Sequence, residues 1–115
     1  MDEYQRGDVV LVRFPFTDLR TTKLRPAVVL AVHGEDVIVA GIFSALPTAL
    51  KDTWLLLQEQ HPSFPHTGLK RGSVVKAEKI AILHRSVLQS KIGSLPAQLM
   101  RSLDQLIKQA LNVSS

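Results

Sequence analysis

Two strongly apolar runs, Val9–Phe14 and Ala27–Val32, lie close together near the start of the chain, separated by a polar, basic segment. In each run apolar and β-branched residues follow one another without alternation, which predicts strands buried on both faces. Pro15 closes the first ladder because it has no N–H to donate, and Pro26 opens the second at the one place a strand accepts proline. The segment between them, with Asp18, Arg20, Thr21, Thr22, Lys23 and Arg25, is then a loop of about ten residues, and connections that long in a small domain are more often functional than the short ones around them. Two buried strands bracketing a cationic loop hold positive charge rigidly over a cleft.

The following residues extend the sheet. His33-Gly34-Glu35-Asp36 reads as a turn joining Ala27–Val32 to Val37–Phe43 in an antiparallel hairpin. Trp54–Leu57 is a further short strand, and Glu59–Lys70, with two prolines and a glycine, reads as an exposed loop. Gly72–Leu83 is a strand with one bend. Its alternation places Val75, Ala77, Lys79 and Ala81 on one face and Val74, Lys76, Glu78, Ile80 and Ile82 on the other. A short helical turn is expected around Ser86–Ile92. Leu99, Met100, Leu103, Leu106, Ile107, Ala110 and Leu111 recur at helical spacing, with Pro96 in the first turn. Strands followed by one helix predict a mainly β (α+β) fold: a small antiparallel barrel or sheet with a C-terminal α-helix packed on it. The length of 115 residues predicts one domain over 1–115.

Several chemistries drop out. There is no cysteine, so disulfides, thiolate catalysis and cysteine zinc sites are excluded. His33, His61, His66 and His84 show no metal-ligand spacing, so neither a metal nor another cofactor is expected. No phosphate-cradling glycine loop or serine elbow is present. The acidic N-terminus has no apolar h-region behind it, and no apolar run is long enough for a membrane span, so a cytoplasmic protein without a membrane partner is expected. The formal net charge is +4. Arg20, Lys23 and Arg25 form one basic group, and Lys70, Arg71, Lys76 and Lys79 a second. Flanking one edge of a sheet, they would make a groove for phosphates; bordering strands, they would simply blunt the edges. Either reading fits the residues alone.

The series GDVVLV, FPFTD and RPAVVL within Arg6–Leu30 closely resembles the MazF/PemK toxins of bacterial type II toxin–antitoxin modules. The resemblance continues through Gly41–Ser44, Gly68-Leu69-Lys70, Ser73-Val74-Val75 and Ala77–Ile80 into the C-terminal helix. It implies an SH3-like barrel, a homodimer, a cognate antitoxin, and contact with operator DNA only through that antitoxin. It also implies metal-independent, sequence-specific cleavage of single-stranded RNA. The family's catalytic arginine falls on Arg25, and its threonine partner on Ser44, which keeps the hydroxyl and loses the methyl.

Cleavage without a metal uses the 2′-hydroxyl of RNA as nucleophile, and a guanidinium suits the phosphoryl oxygens on which charge gathers. A guanidinium is a poor proton donor or acceptor, which suits Arg25 to stabilising charge rather than carrying protons. Ser44 would orient the phosphate or the 2′-hydroxyl. Arg20, Lys23, Lys70 and Lys79 would bind the RNA backbone, Phe16 would offer a base platform, and Thr17 would join the same contact surface. His61 and His66 could carry protons only if the Glu59–Lys70 loop folds over the site. The alternatives are a non-catalytic gyrase poison resembling the CcdB toxins and a nucleic-acid-binding barrel without catalysis.

Overall fold

A computed structural model describes residues 3–13, 24–44 and 49–114. Within them a six-stranded antiparallel sheet carries one C-terminal helix, as the sequence predicts. The strands are β1 (Asp8–Arg13), β2 (Leu24–His33), β3 (Asp36–Phe43), β4 (Trp54–Leu57), β5 (Ser73–His84) and β6 (Leu88–Ser94), and the helix is α1 (Ala97–Ala110). Their order across the sheet is β4-β5-β3-β2-β1-β6, so the two most apolar strands lie inside it. No helix among the described residues is long and apolar enough to cross a membrane.

The middle stretches of β1 and β2 are buried on both faces, which is why they show no polar alternation. On one face Val9, Val28, Ala40, Ile42, Val75 and Ala77 pack with Leu95, Met100 and Leu103 beneath α1. On the other, Val10, Val12, Ala27, Val29, Val37, Val39 and Leu88 form a second core. The Arg6-Gly7-Asp8 triplet anchors the helix to this sheet. Arg6 donates from its guanidinium to the Leu30 carbonyl at 2.9 Å and pairs with Asp104 of α1. Gly7, at φ +96°, lets its N–H reach the Val29 carbonyl while its own carbonyl accepts from Leu95. Asp8 is buried, paired with Lys91 at 3.1 Å and accepting the Gln5 N–H.

Four expectations are corrected. Ser86–Ile92 is not a helical turn: a 3₁₀ turn at Arg85–Val87 leads directly into strand β6, which pairs with β1. The Glu59–Lys70 segment is not simply exposed. It holds a 3₁₀ turn, Phe64–Thr67, whose Thr67 is buried and accepts the Leu69 N–H while donating to the Phe64 carbonyl. The third correction takes both ends of α1 together: Leu111 lies past the helix and is exposed, and Pro96 is the N-cap rather than a residue of the first turn.

The fourth correction concerns β5. Its bend is a bulge that sets a two-residue step on β3, Ala40 to Ile42, against a five-residue step on β5, Ile80 to Val75. The odd number of extra residues reverses the alternation. Ile80 therefore packs in the core of Val75 and Ala77, while Ala81 goes to the other.

Gly68 and Gly93 bring the β4–β5 connection against β6. A Cβ on Gly93 would overlap the backbone of His66 and Thr67, and one on Gly68 would overlap the carbonyl of Ile92. The sheet's far edge is thereby folded towards the β4 side, and the groove described next forms along this seam.

Candidate functional site

An open groove of about 300 Å³ is lined by Leu11, Pro26, Ser44, Gly68, Leu69, Lys70, Arg71, Ser73 and Ile92. Its floor is the helix-side face of β1 and β2 at the end where Pro26 pairs with Leu11. Its wall is the segment that Gly68 and Gly93 seat against β6. The Ser73 hydroxyl is turned away, donating to the Arg71 carbonyl at 2.9 Å. Two cations and one exposed hydroxyl over an apolar floor can take a phosphate at the rim and an apolar or aromatic ring below it.

Arg25 belongs to the opposite face. Its register partner is Val12, a member of the second core, whereas the neighbouring pair Pro26 and Leu11 line the groove. The pleat therefore sends Arg25 and Ser44 to opposite sides of the sheet at the same end. The cause is a bulge in β2. Next to the Gly34–Glu35 turn the pairs are His33↔Asp36, Val32↔Val37 and Ala31↔Ile38, a register that would set Arg25 across from Ser44. A shift between Val29 and Ala31 slips it by one residue, to Val28↔Ala40 and Ala27↔Gly41. Carried two residues further, the shifted register sets Arg25 across from Phe43.

Phe43 opens a second constellation, which no sequence motif marks. The Lys76 ammonium lies 4.4 Å from the centre of the Phe43 ring and 4.5 Å from that of Trp54. Lys51 lies 5.5 Å from the same indole. Glu78 accepts from Trp54 Nε1 at 2.9 Å and from Thr53 Oγ1 at 2.7 Å. Burial by itself would raise the Glu78 pKa, but these two hydrogen bonds, one from its own backbone and the Lys51 charge outweigh it. The carboxyl is held below its ordinary value of 4.5. Lys76, Glu78 and Lys79 all sit in the β5 bulge, a device that re-aims side chains beside functional sites.

Of the other expected site residues, Lys70 lines the groove with Ser44, and Arg71, a member of the same basic run, joins it. Lys79 is half-buried on β5 and does not line the groove. His61 and His66 do not line it either. His61 borders a small cavity beside Phe64, Thr67 and Leu99, and its Nδ1 accepts the Ser63 N–H at 3.0 Å. Phe16, Thr17, Arg20 and Lys23 lie outside the described residues. No cluster of three or more potential metal ligands occurs among the described residues. What signalled the Phe43–Lys76–Trp54 group in the sequence was only the rarity of its aromatic residues; their proximity depends on the bulges.

Residues 5–111 match the family model of PemK-like, MazF-like toxins of type II toxin–antitoxin systems. No curated protein sequence matches the chain significantly. Among solved structures, a mycobacterial endoribonuclease in complex with its cognate antitoxin superposes with a TM-score of 0.73 at 19% identity, covering 98% of this chain and 99% of that one. The Mycobacterium tuberculosis toxin MazF-mt6 gives a TM-score of 0.72 at 20% identity, over 94% and 99% of the two chains. MazF from Deinococcus radiodurans gives 0.74 at 18% identity, over 97% and 99%. At these identities the superpositions establish the fold.

Proposed function

Because the chain belongs to the PemK-like, MazF-like toxins of type II toxin–antitoxin systems, we propose that it is an endoribonuclease toxin cleaving single-stranded RNA without a metal, held in check by a cognate antitoxin. Family membership carries this reading, and the cationic end of the sheet fits it. The RNA crosses the rim where β2 begins and β3 ends. Arg25, with Lys76 across Phe43, faces the scissile phosphate on one side. Ser44, Lys70 and Arg71 hold the flanking backbone in the groove on the other.

In the reaction the 2′-oxygen bonds to phosphorus, the P–O5′ bond breaks, and the departing 5′-oxygen takes a proton from water. The products are a 2′,3′-cyclic phosphate and a 5′-hydroxyl. The Arg25 guanidinium donates two parallel hydrogen bonds to the phosphoryl oxygens as their charge grows. Neither Arg25 nor Ser44 can remove the 2′-hydroxyl proton near neutral pH. Glu78, a carboxylate tied to the same aromatic–lysine group, is ionised there and takes that role.

Since its pKa is lowered, Glu78 is already deprotonated throughout the neutral range and is lost as a base only below its ordinary value of 4.5. The rate is therefore expected to show no acid limb between about pH 8 and pH 5, and Glu78→Gln to lower kcat by about 10²–10⁴ with KM little changed. A pH–rate profile of both proteins checks this; a wild-type limb centred near pH 6.5 would assign the base to a histidine instead.

The groove makes its own prediction. Each phosphate contact to a single strand contributes about 0.7 to the slope of log K against log salt. Replacing Lys70 and Arg71 by alanine is expected to flatten that slope by about 1.4 and to leave kcat on bound RNA unchanged. The proposal as a whole is tested with purified protein and a mixed-sequence RNA in excess EDTA. Cleavage at a small set of sequences is expected; intact RNA at high protein concentration would refute it.

A further inference from the structure

Resting on the RNA-cleaving reading above, we infer that Trp54 is a stacking platform for one base of the substrate, and so a determinant of which RNA sequence is cut. The chain has one tryptophan, and it stands at the start of edge strand β4, half-buried, next to the candidate reaction face. Its orientation is fixed at the polar edge, where Nε1 donates to Glu78. It is fixed over the ring by the Lys76 ammonium, shared with Phe43. An indole held this way loses little freedom when a base arrives, unlike a ring on an untethered surface side chain. A core tryptophan needs neither a carboxylate clamp nor two lysines around it.

The neighbouring cations complete the arrangement. Lys51 is exposed and lies farther from the ring centre than Lys76, at 5.5 Å. A base laid on the indole displaces it, and the freed ammonium pairs with that nucleotide's phosphate. Lys76 stays between the two rings. The platform thus reads a base by its π-face and its size, with purines favoured by the greater overlap, while the lysines supply affinity that does not depend on sequence.

The single tryptophan reports on its own site. The full-length protein is titrated with a fluorescently labelled, non-cleavable 2′-O-methyl oligonucleotide, following label anisotropy and indole emission together. The same oligonucleotide with an abasic residue at each position in turn serves as the control. Binding should quench the indole, and one abasic position should abolish the quenching and weaken binding about tenfold. Trp54→Phe should retain most of the affinity and Trp54→Leu should lose about tenfold, with the base preference at that one position relaxed and the others kept. If anisotropy shows binding and RNA is cut, but the indole is silent or responds equally to every abasic oligonucleotide, the stacking inference is wrong and the RNA-cleaving reading stands. If anisotropy shows no binding and RNA is not cut, both fall.

Discussion

Replacing Arg25 by alanine is expected to lower kcat/KM for RNA cleavage by about 10²–10³, with the fold intact. The size follows from what is removed. In the transition state the phosphoryl oxygens carry more charge than in bound RNA, and the two guanidinium hydrogen bonds strengthen as that charge appears. Arg25→Lys restores the charge but not the planar fork, so it should recover only part of the loss. The fold should survive because Arg25 is partly exposed at the strand's end, while the pairs Ala27↔Gly41 and Val28↔Ala40 behind it do not depend on its side chain. Thermal unfolding of both variants alongside steady-state kinetics checks the two halves of this expectation. Unchanged cleavage by Arg25→Ala would remove the arginine from the mechanism.

Gly93→Ala is expected to cost about 3 kcal/mol or more, a drop in Tm of about 12 °C or more for a chain of this size. The added methyl would meet the backbone of His66 and Thr67. Backbone cannot turn aside as a side-chain tip can, so β6 or the 3₁₀ turn must move. Moving the turn strains its Thr67 hydrogen bonds, and moving β6 strains its pairing with β1. The same displacement opens the groove wall carrying Gly68, Leu69, Lys70 and Arg71. RNA binding should therefore weaken even under conditions where the variant stays folded. Circular dichroism melts and oligonucleotide binding at low temperature separate the two effects. A variant as stable as the parent would mean that the loop and β6 are not in fact in backbone contact.

These two positions show what a sequence discloses and what it conceals. β1, β2 and their central place were legible because uninterrupted apolar runs have one physical explanation, burial on both faces. The hairpin at Gly34–Glu35, strand β4 and the stripe of α1 were legible for the same local reasons. Strand β6 was not. Leu88-Gln89-Ser90-Lys91-Ile92-Gly93-Ser94 has two large apolar residues, and it is a strand because β1 pairs with it and Gly93 fits Thr67, both long-range facts.

The place of Arg25 near the start of β2 was legible, and the face its side chain takes was not. The register beside the turn, continued, would set it across from Ser44, and one extra residue near Leu30 slips that register by one before it reaches Ala27↔Gly41. Because side chains alternate with period two, a slip of one residue moves a candidate catalytic partner to the other side of the sheet. The Lys76–Trp54–Glu78 group was concealed likewise, by the bulge in β5.

The central claim is that the chain cuts RNA by attack of the substrate's own 2′-hydroxyl. It is tested most directly on a short RNA cut at one mapped bond, compared with the same oligonucleotide carrying a single 2′-deoxy residue immediately 5′ of that bond. The expected result, with EDTA present, is complete loss of cleavage at the substituted bond, and a 2′,3′-cyclic phosphate and a 5′-hydroxyl on the products of the unmodified RNA. Cleavage of the deoxy-substituted bond, or products bearing a 5′-phosphate, would contradict it.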